Sequence, residues 1–270
     1  MRKEGEKMND ISKTMLIPLY MRYIESKKEM PLFVDNTAIS IVDSMENCFD
    51  QFHYDKSVQL GIAARTLAFD EYVSDFIRRN PEGLVISVGC GLDDRFSRVD
   101  NGKIFWINMD LENVINLRQY YIKDFDRVLN IVADITDPFW KEQIQKHISS
   151  ENVLFVFEGL LYYFNEDFNK ELLSGMGEFF TGAEMVFDVI SKYYIKFSSK
   201  TFSKLMMLDS IKYKWGFESW QKVLNYSPRI KFLDEVFLSD YYREIDDYIL
   251  ETKKNSELRK LFRIGRLLFI

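Results

Sequence analysis

Cysteine and histidine are scarce in this chain. Only two of each occur among its 270 residues, and Cys48, Cys90, His53 and His147 form neither a metal-ligand spacing nor a disulfide framework, so the expected chemistry uses no metal. Long apolar runs are also missing: the longest, around VLFVFEGLLYYF, is broken by Glu158 and falls short of the ~20 apolar residues of a membrane span. No sign of charge dominates any stretch. The 36 Lys and Arg and 42 Asp and Glu give a net charge of -6 and are well mixed, without the basic stripe that a phosphate backbone demands, which excludes nucleic acid as an expected partner. There is no internal repeat, low-complexity tract or Gly/Ser linker, and a single domain is expected. The opening MRKEGEKMND is charged and carries no apolar signal core, so a cytoplasmic location is the expectation.

What is present is enough for a large core, with 47% hydrophobic and 16% aromatic residues. From residue 84 onward the runs LVISVG, KIFWINMD, VLNIVAD, NVLFVFEG and AEMVFDVI alternate with helical patterns, which predicts βαβ units and a parallel sheet in an α/β fold. The runs are apolar at nearly every position, as for strands buried on both faces. Ligands of open α/β sheets sit beyond the carboxyl ends of the strands, so Gly89, Asp110, Asp134 and Glu158 are expected at one rim. Residues 1–83 read as a helical cap that includes AISIVDSMENCF and QLGIAARTLAFDEYVSDFIRRNP, the latter ending before Pro81. Residues 84–190 read as the βαβ core and 191–228 as a helical insertion or lid. Within 229–270, RIKFLDEVFL and GRLLFI read as two last strands, paired antiparallel.

The stretch VGCGLDDR places a glycine turn between a strand and a helix, a device that brings backbone N-H groups close to a ligand. A dinucleotide fingerprint needs a third glycine at position 94. This chain has Asp94 there, beside Asp93, and that acidic pair would repel a pyrophosphate. A nucleoside without phosphates and with positive charge, S-adenosylmethionine, suits the site better. In that reading Asp110 accepts from the ribose hydroxyls, Asp134 from the adenine amino group, Ile135 packs on the ring, and Glu158 meets the methionine end. The alternative for each acid is a helix N-cap.

Arg65 shares a helical stripe with Phe69, Tyr72 and Phe76, opposite Asp70 and Asp75, and an inward arginine needs an anion. That anion is either a structural carboxylate or the carboxylate of a cofactor or substrate. Cys90 reads as a small residue in a tight turn. At least one of Tyr162, Tyr163 and Phe164 belongs to the core. The aromatic and methionine surplus of Tyr193, Tyr194, Phe197, Phe202, Met206, Met207, Trp215 and Trp220 suits either an apolar pocket or ordinary core.

Taken together, VGCGLDDRFSRV, INMDLENVINLR, VADITDPFW and FEGLLYYFNEDF resemble the leucine carboxyl methyltransferase family, which includes tetracenomycin-type polyketide carboxyl methyltransferases; the likeness extends to TMLIPLYMRYIES, IAARTLAFDEYVSDFI and FFTGAEMVFDVIS. The resemblance implies a Rossmann-like class I methyltransferase fold, a seven-stranded, mostly parallel sheet with its last strand antiparallel. It further implies that Arg65, Gly89, Gly91, Asp110, Leu111, Asp134, Ile135 and Glu158 contact S-adenosylmethionine, with S-adenosylhomocysteine as product. Tyr163 falls on a family tyrosine near the reacting end, and Arg65 and Tyr163 are the candidate catalytic pair. The expected substrate is a small-molecule acid. A carboxylate is already ionised near neutral pH and needs no general base, whereas a phenol usually needs one, commonly a histidine. The competing readings are a phenol or hydroxyl O-methyltransferase and a non-catalytic S-adenosylmethionine-binding module.

Overall fold

The computed structural model describes residues 10–45, 49, 56–123, 125–148, 150–196, 213–242 and 255–270. Its centre is a seven-stranded sheet in the order β3-β2-β1-β4-β5-β7-β6. The strands are β1 (Leu84–Val88), β2 (Phe105–Asp110), β3 (Val128–Val132), β4 (Val153–Phe157), β5 (Glu184–Ile190), β6 (Ile230–Phe237) and β7 (Phe262–Phe269). The first five pair in parallel. β7 enters between β5 and β6 and is antiparallel to both. The strands are those expected from the sequence, and the two C-terminal runs do pair antiparallel.

Alternation within β1 explains how one short run serves two cores. Leu84, Ile86 and Val88 pack on one face with Trp140, Leu172, Leu173 and Met176, from helices α6 (Trp140–Gln145) and α7 (Glu166–Phe179). Val85 points to the other face, where Ala64, Ala68, Phe69, Val73 and Phe76 recur at helical spacing along α3 (Lys56–Arg79). α3 ends at Arg79, and Asn80, the residue preceding Pro81, is already outside it, because a residue before proline is pushed out of the helical region. The expectation of strands buried on both faces fails for β3. It is an edge strand, and Leu129 and Val132 stand 41% and 45% exposed.

The N-terminal helices lie over the strand ends. α1 (Asp10–Ser26) and α2 (Asn36–Ser44) share a cluster in which Leu16, Leu19, Ala38 and Ile41 meet Leu92 of the glycine turn. The Asp35 side chain caps α2 by accepting from the Ala38 N-H. In the region expected to be helical after β5, residues 192–196 and Trp220–Leu224 are helical, whereas residues 213–219 are not, with Phe217 bridged to Ser191. Trp220 lies flat against β7 at Gly265, where a Cβ would sit 2.0 Å from the indole ring. Among the described residues no helix is long and apolar enough to cross a membrane.

Candidate functional site

At the carboxyl ends of β1 to β4 the sheet opens into a cavity of about 540 Å³, within the range of small-molecule sites. Arg65, Gly89, Gly91, Asp110, Leu111, Asp134, Ile135, Glu158 and Tyr163 all line it. Every residue named as a cofactor contact or as a catalytic candidate therefore faces a single space.

The glycine turn is built by the backbone conformations it requires. Gly89 and Gly91 hold φ of 67° and 52°, which only glycine adopts without strain. A Cβ on Gly89 would also come within 3.0 Å of Leu160. The turn is tied to β2 by Gly89 N-H donating to the Met109 carbonyl at 2.8 Å and by Gly91 N-H donating to Asp110 Oδ2 at 2.8 Å. Asp110 Oδ1 accepts from the Leu111 N-H at 2.8 Å. Each carboxylate oxygen thus takes one backbone donor and keeps capacity for a second. Burial raises the Asp110 carboxyl above its ordinary value despite those two donors.

Neither strand-end aspartate caps a helix. Leu111, not Asp110, occupies the N-cap of α5 (Glu112–Tyr121), and Asp134 forms a local turn in which Oδ1 accepts from Thr136 N and Oγ1 at 2.8 and 2.7 Å. The second Asp134 oxygen accepts no hydrogen bond among the described residues, and buried Ile135 supplies the apolar wall beside it.

Glu158 and Arg65 meet at the far end of the cavity. Arg65 Nε donates to Glu158 Oε1 at 2.9 Å, and Nη1 donates to the Tyr162 hydroxyl at 3.1 Å and to Asp188 Oδ2 at 3.3 Å. The inward arginine therefore has structural carboxylates as partners. Its Nη2 donates to no described acceptor. Burial opposes ionisation of Glu158, yet Arg65 and Arg95 outweigh it and hold the carboxyl below its ordinary range. Burial of Asp188 is less well offset by Arg65 and the Gly159 N-H, and its carboxyl is pushed up to about 6.

The electrostatic reading of the acidic pair requires correction. Asp93 is not a free negative charge beside the turn: Arg95 Nη1 and Arg98 Nη1 approach its oxygens to 3.1 and 2.9 Å. These arginines outweigh burial and hold it far below the carboxylate range. Asp94 accepts from Thr37 Oγ1 and Ser97 Oγ, each at 2.7 Å. Arg118 clamps the turn from below, donating to the Asp93 and Gly91 carbonyls at 2.5 and 3.3 Å. Asp70, expected on the outer face of α3, is buried for the same reason. Arg95 Nε and Arg98 Nε reach it at 2.6 and 2.7 Å, so charge pairing overrides helical-face polarity.

Several lining residues escaped the sequence reading. Tyr162, not Tyr163, bonds Arg65; the two rings meet at 4.8 Å, and Tyr213 completes an aromatic wall at 5.0 and 5.7 Å from them. Burial pushes the Tyr163 hydroxyl up to about 12. The Lys214 N-H donates to the Tyr162 carbonyl at 2.7 Å, which seats residues 213–215 against that wall. Asp188 had a signal in the sequence, as the acidic residue inside the otherwise apolar VFDVI of β5. Of the aromatic and methionine residues that suited either an apolar pocket or ordinary core, the four described members do not line the cavity. Tyr193 is 63% exposed, Tyr194 packs on Phe262, and Trp215 and Trp220 belong to the core on one face of the sheet. Phe197, Phe202, Met206, Met207, Cys48 and His53 lie outside the described residues. Cys90 is buried, and burial pushes its thiol up to about 12, consistent with a packing role. His147 is exposed beyond α6 and does not line the cavity.

A model of the leucine carboxyl methyltransferase family matches residues 16–177. The tetracenomycin polyketide synthesis O-methyltransferase TcmP of Streptomyces glaucescens is 24% identical over 244 residues, 88% of either chain. Among solved structures, a DUF574-family protein from Streptomyces avermitilis has a TM-score of 0.62 at 7% identity, covering 95% of this chain and 97% of that one. Magnesium protoporphyrin IX methyltransferase from Synechocystis, solved with bound S-adenosylhomocysteine, gives 0.50 at 10% identity over 87% of this chain and all of that one. At such identities the structural likenesses establish the fold.

Proposed function

Because this chain belongs to the leucine carboxyl methyltransferase family, we propose that it moves the methyl group of S-adenosylmethionine onto a carboxylate of a small organic acid by in-line displacement. The coarser statement, a methyltransferase dependent on S-adenosylmethionine, follows from the family match and the TcmP relative. The observation that carries the finer one is the single cavity that joins a nucleoside-compatible rim to a guanidinium-bearing end.

The residues fit the cofactor. The spare acceptor capacity of the Asp110 carboxylate suits a vicinal diol, the open Asp134 oxygen suits an amino group, and Ile135 offers an apolar surface for a ring. The two glycines carry no side chain into the cavity, and Gly89, Cys90 and Gly91 all line that wall. When bound, the cofactor supplies an electrophilic methyl on a sulfonium. The protein's task is then to hold the acceptor oxygen in near-attack geometry and exclude water. Arg65 serves this by offering Nη2 to a ligand carboxylate while Nε and Nη1 stay fixed on Glu158, Tyr162 and Asp188. Met15, Ile17 and Pro18 of α1 close the cavity on the side away from the sheet, the position of a cap. No histidine lines the cavity among the described residues. This favours a carboxylate acceptor over a phenol, because a carboxylate needs no proton removed.

Calorimetric titration with S-adenosylmethionine and S-adenosylhomocysteine tests the cofactor assignment, with Asp110→Ala expected to abolish micromolar binding. Turnover of a panel of aromatic and aliphatic acids to methyl esters then tests the acceptor class. Methylation of phenols but not acids would refute it, and binding without turnover of any acceptor would favour the non-catalytic module. In Arg65→Ala, a raised acceptor KM places the ligand carboxylate on the acceptor; a weakened cofactor Kd places it on the methionine moiety.

A further inference from the structure

Resting on the reading that Arg65 receives a ligand carboxylate, we propose that Asp188 is a positioning residue that competes with that carboxylate for Arg65, so that ligand binding is coupled to proton uptake at Asp188. The geometry has three parts. Asp188 is buried at 5% exposure, with Oδ1 accepting from the Gly159 N-H at 2.8 Å and Oδ2 from Arg65 Nη1 at 3.3 Å. Arg65 already answers Glu158 through Nε, so two carboxylates share one guanidinium before any ligand arrives. Arg65 lines the cavity and Asp188 does not, so a carboxylate that meets the unused Nη2 reaches Asp188 through the guanidinium they share.

Three carboxylates around one guanidinium carry excess negative charge in a water-poor site, and the one most easily neutralised takes up a proton. Glu158 is held ionised by Arg95 as well as Arg65. Among the described residues Asp188 has no second cation. Besides Arg65, the charged or titratable groups that face it are Glu158 after β4, Tyr162 and Tyr163 from the turn beyond it, and Tyr213. Its register partner on β7, Ile264, is apolar. With its carboxyl already pushed up to about 6, the approach of a further anion raises it through neutrality. Protonated Asp188 still accepts from the Gly159 N-H and no longer draws on the charge of Arg65.

The test is calorimetry in buffers of differing ionisation enthalpy, which counts protons taken up per ligand bound, on wild type and Asp188→Asn. Asparagine keeps an acceptor for the Gly159 N-H and removes the charge. One arm titrates S-adenosylhomocysteine, and a second titrates 2-naphthoate into the protein saturated with it. At pH 7 the wild type is expected to take up close to one proton more than the variant, with its Kd rising up to about tenfold per pH unit above 6 while that of the variant stays level. The arm that shows the difference identifies the source of the carboxylate, cofactor or acceptor. Equal uptake by both proteins in both arms overturns the proposal. If the variant does not fold, a wild-type Kd that is flat from pH 6 to 8 in both arms overturns it equally. Failure of the folded wild type to bind S-adenosylhomocysteine sinks the cofactor assignment separately. In that case 2-naphthoate is titrated into the unloaded protein, and no difference in uptake, or no binding, overturns the coupling too.

Discussion

Replacing Arg95 with methionine is the sharpest probe of how the site is held. Arg95 is 2% exposed, lies over the Phe69 ring, and spends its donors on three carboxylates: Asp70 at 2.6 Å, Asp93 at 3.1 Å and Glu158 at 2.5 Å. Methionine fills much of the volume and carries no charge. Asp70 and Asp93 keep Arg98, and Glu158 keeps Arg65, so no carboxylate is wholly stranded, but each loses a charge-assisted bond inside the protein. Removing one partner of a buried ion pair costs about 3 to 5 kcal/mol. Against a total stability of about 5 to 15 kcal/mol this amounts to a fall in Tm on the order of 10 °C. Urea denaturation at pH 7 measures the loss directly. The same experiment carried down from pH 5 to pH 3 gives the decisive sign. Asp93 and Glu158 have folded-state values below their ordinary ones, and their contribution is present above the unfolded value and lost as pH falls. In the variant part of that contribution is already gone at pH 7, and the acids, each with one cation fewer, protonate more readily as pH drops. The difference between wild type and variant must therefore shrink on acidification. A loss below about 1 kcal/mol, or one that does not change with pH, would refute the view that these pairs hold the turn in place.

Ala at Gly89 is expected to cost about 1 to 2 kcal/mol for its φ of 67° and also to weaken S-adenosylhomocysteine binding, because its Cβ presses on Leu160. Gly102→Ala, with φ of 80° and open space around the new methyl, should lose similar stability with binding unchanged, as calorimetry would show. Gly265→Ala should lower stability by more than about 3 kcal/mol, since the indole of Trp220 occupies the place of its Cβ; a near-neutral urea midpoint would show that the ring can move at little cost. Asp188 is a raised group, so its contribution to stability is complete below its ordinary value of 3.8 and lost as pH rises through about 6. Asp188→Asn should therefore gain in stability relative to wild type between pH 4 and 7, and parallel denaturation profiles would contradict this.

The strand-end residues were legible because parallel strands buried on both faces read as apolar runs, and their first polar residue after the run marks the rim. That logic found Asp110, Asp134 and Glu158 together. It missed Asp188, which lies within a strand, where polarity is informative only once β7 is known to pack beside it with an apolar partner. Asp70 was misread because helical periodicity predicts which face a side chain occupies and says nothing of which buried cation waits there. The arginines of DDRFSR look like an ordinary solvated helix start in sequence; their partners Asp35 and Asp70 lie 63 and 28 residues upstream of Arg98, a distance that local spacing cannot span. Tyr213 and Lys214 were missed because the backbone bonds that seat this segment on Tyr162 are formed by non-helical residues in a region whose composition suggested helix.

The insertion of β7 between β5 and β6 also sets an order of assembly during synthesis. β6 leaves the ribosome before β7, yet among the described residues its one ladder partner in the sheet is β7. Until that last strand emerges, β6 is tethered to the chain without a place in the sheet, and the exposed edge of β5 is open to any other strand that comes by. The rim of the cavity, by contrast, is drawn from β1 to β4 and can be complete earlier. A nascent chain halted before residue 262 would then carry a nearly finished binding site on a protein with an unfinished and adhesive flank, and it would be this flank that chaperones have to cover.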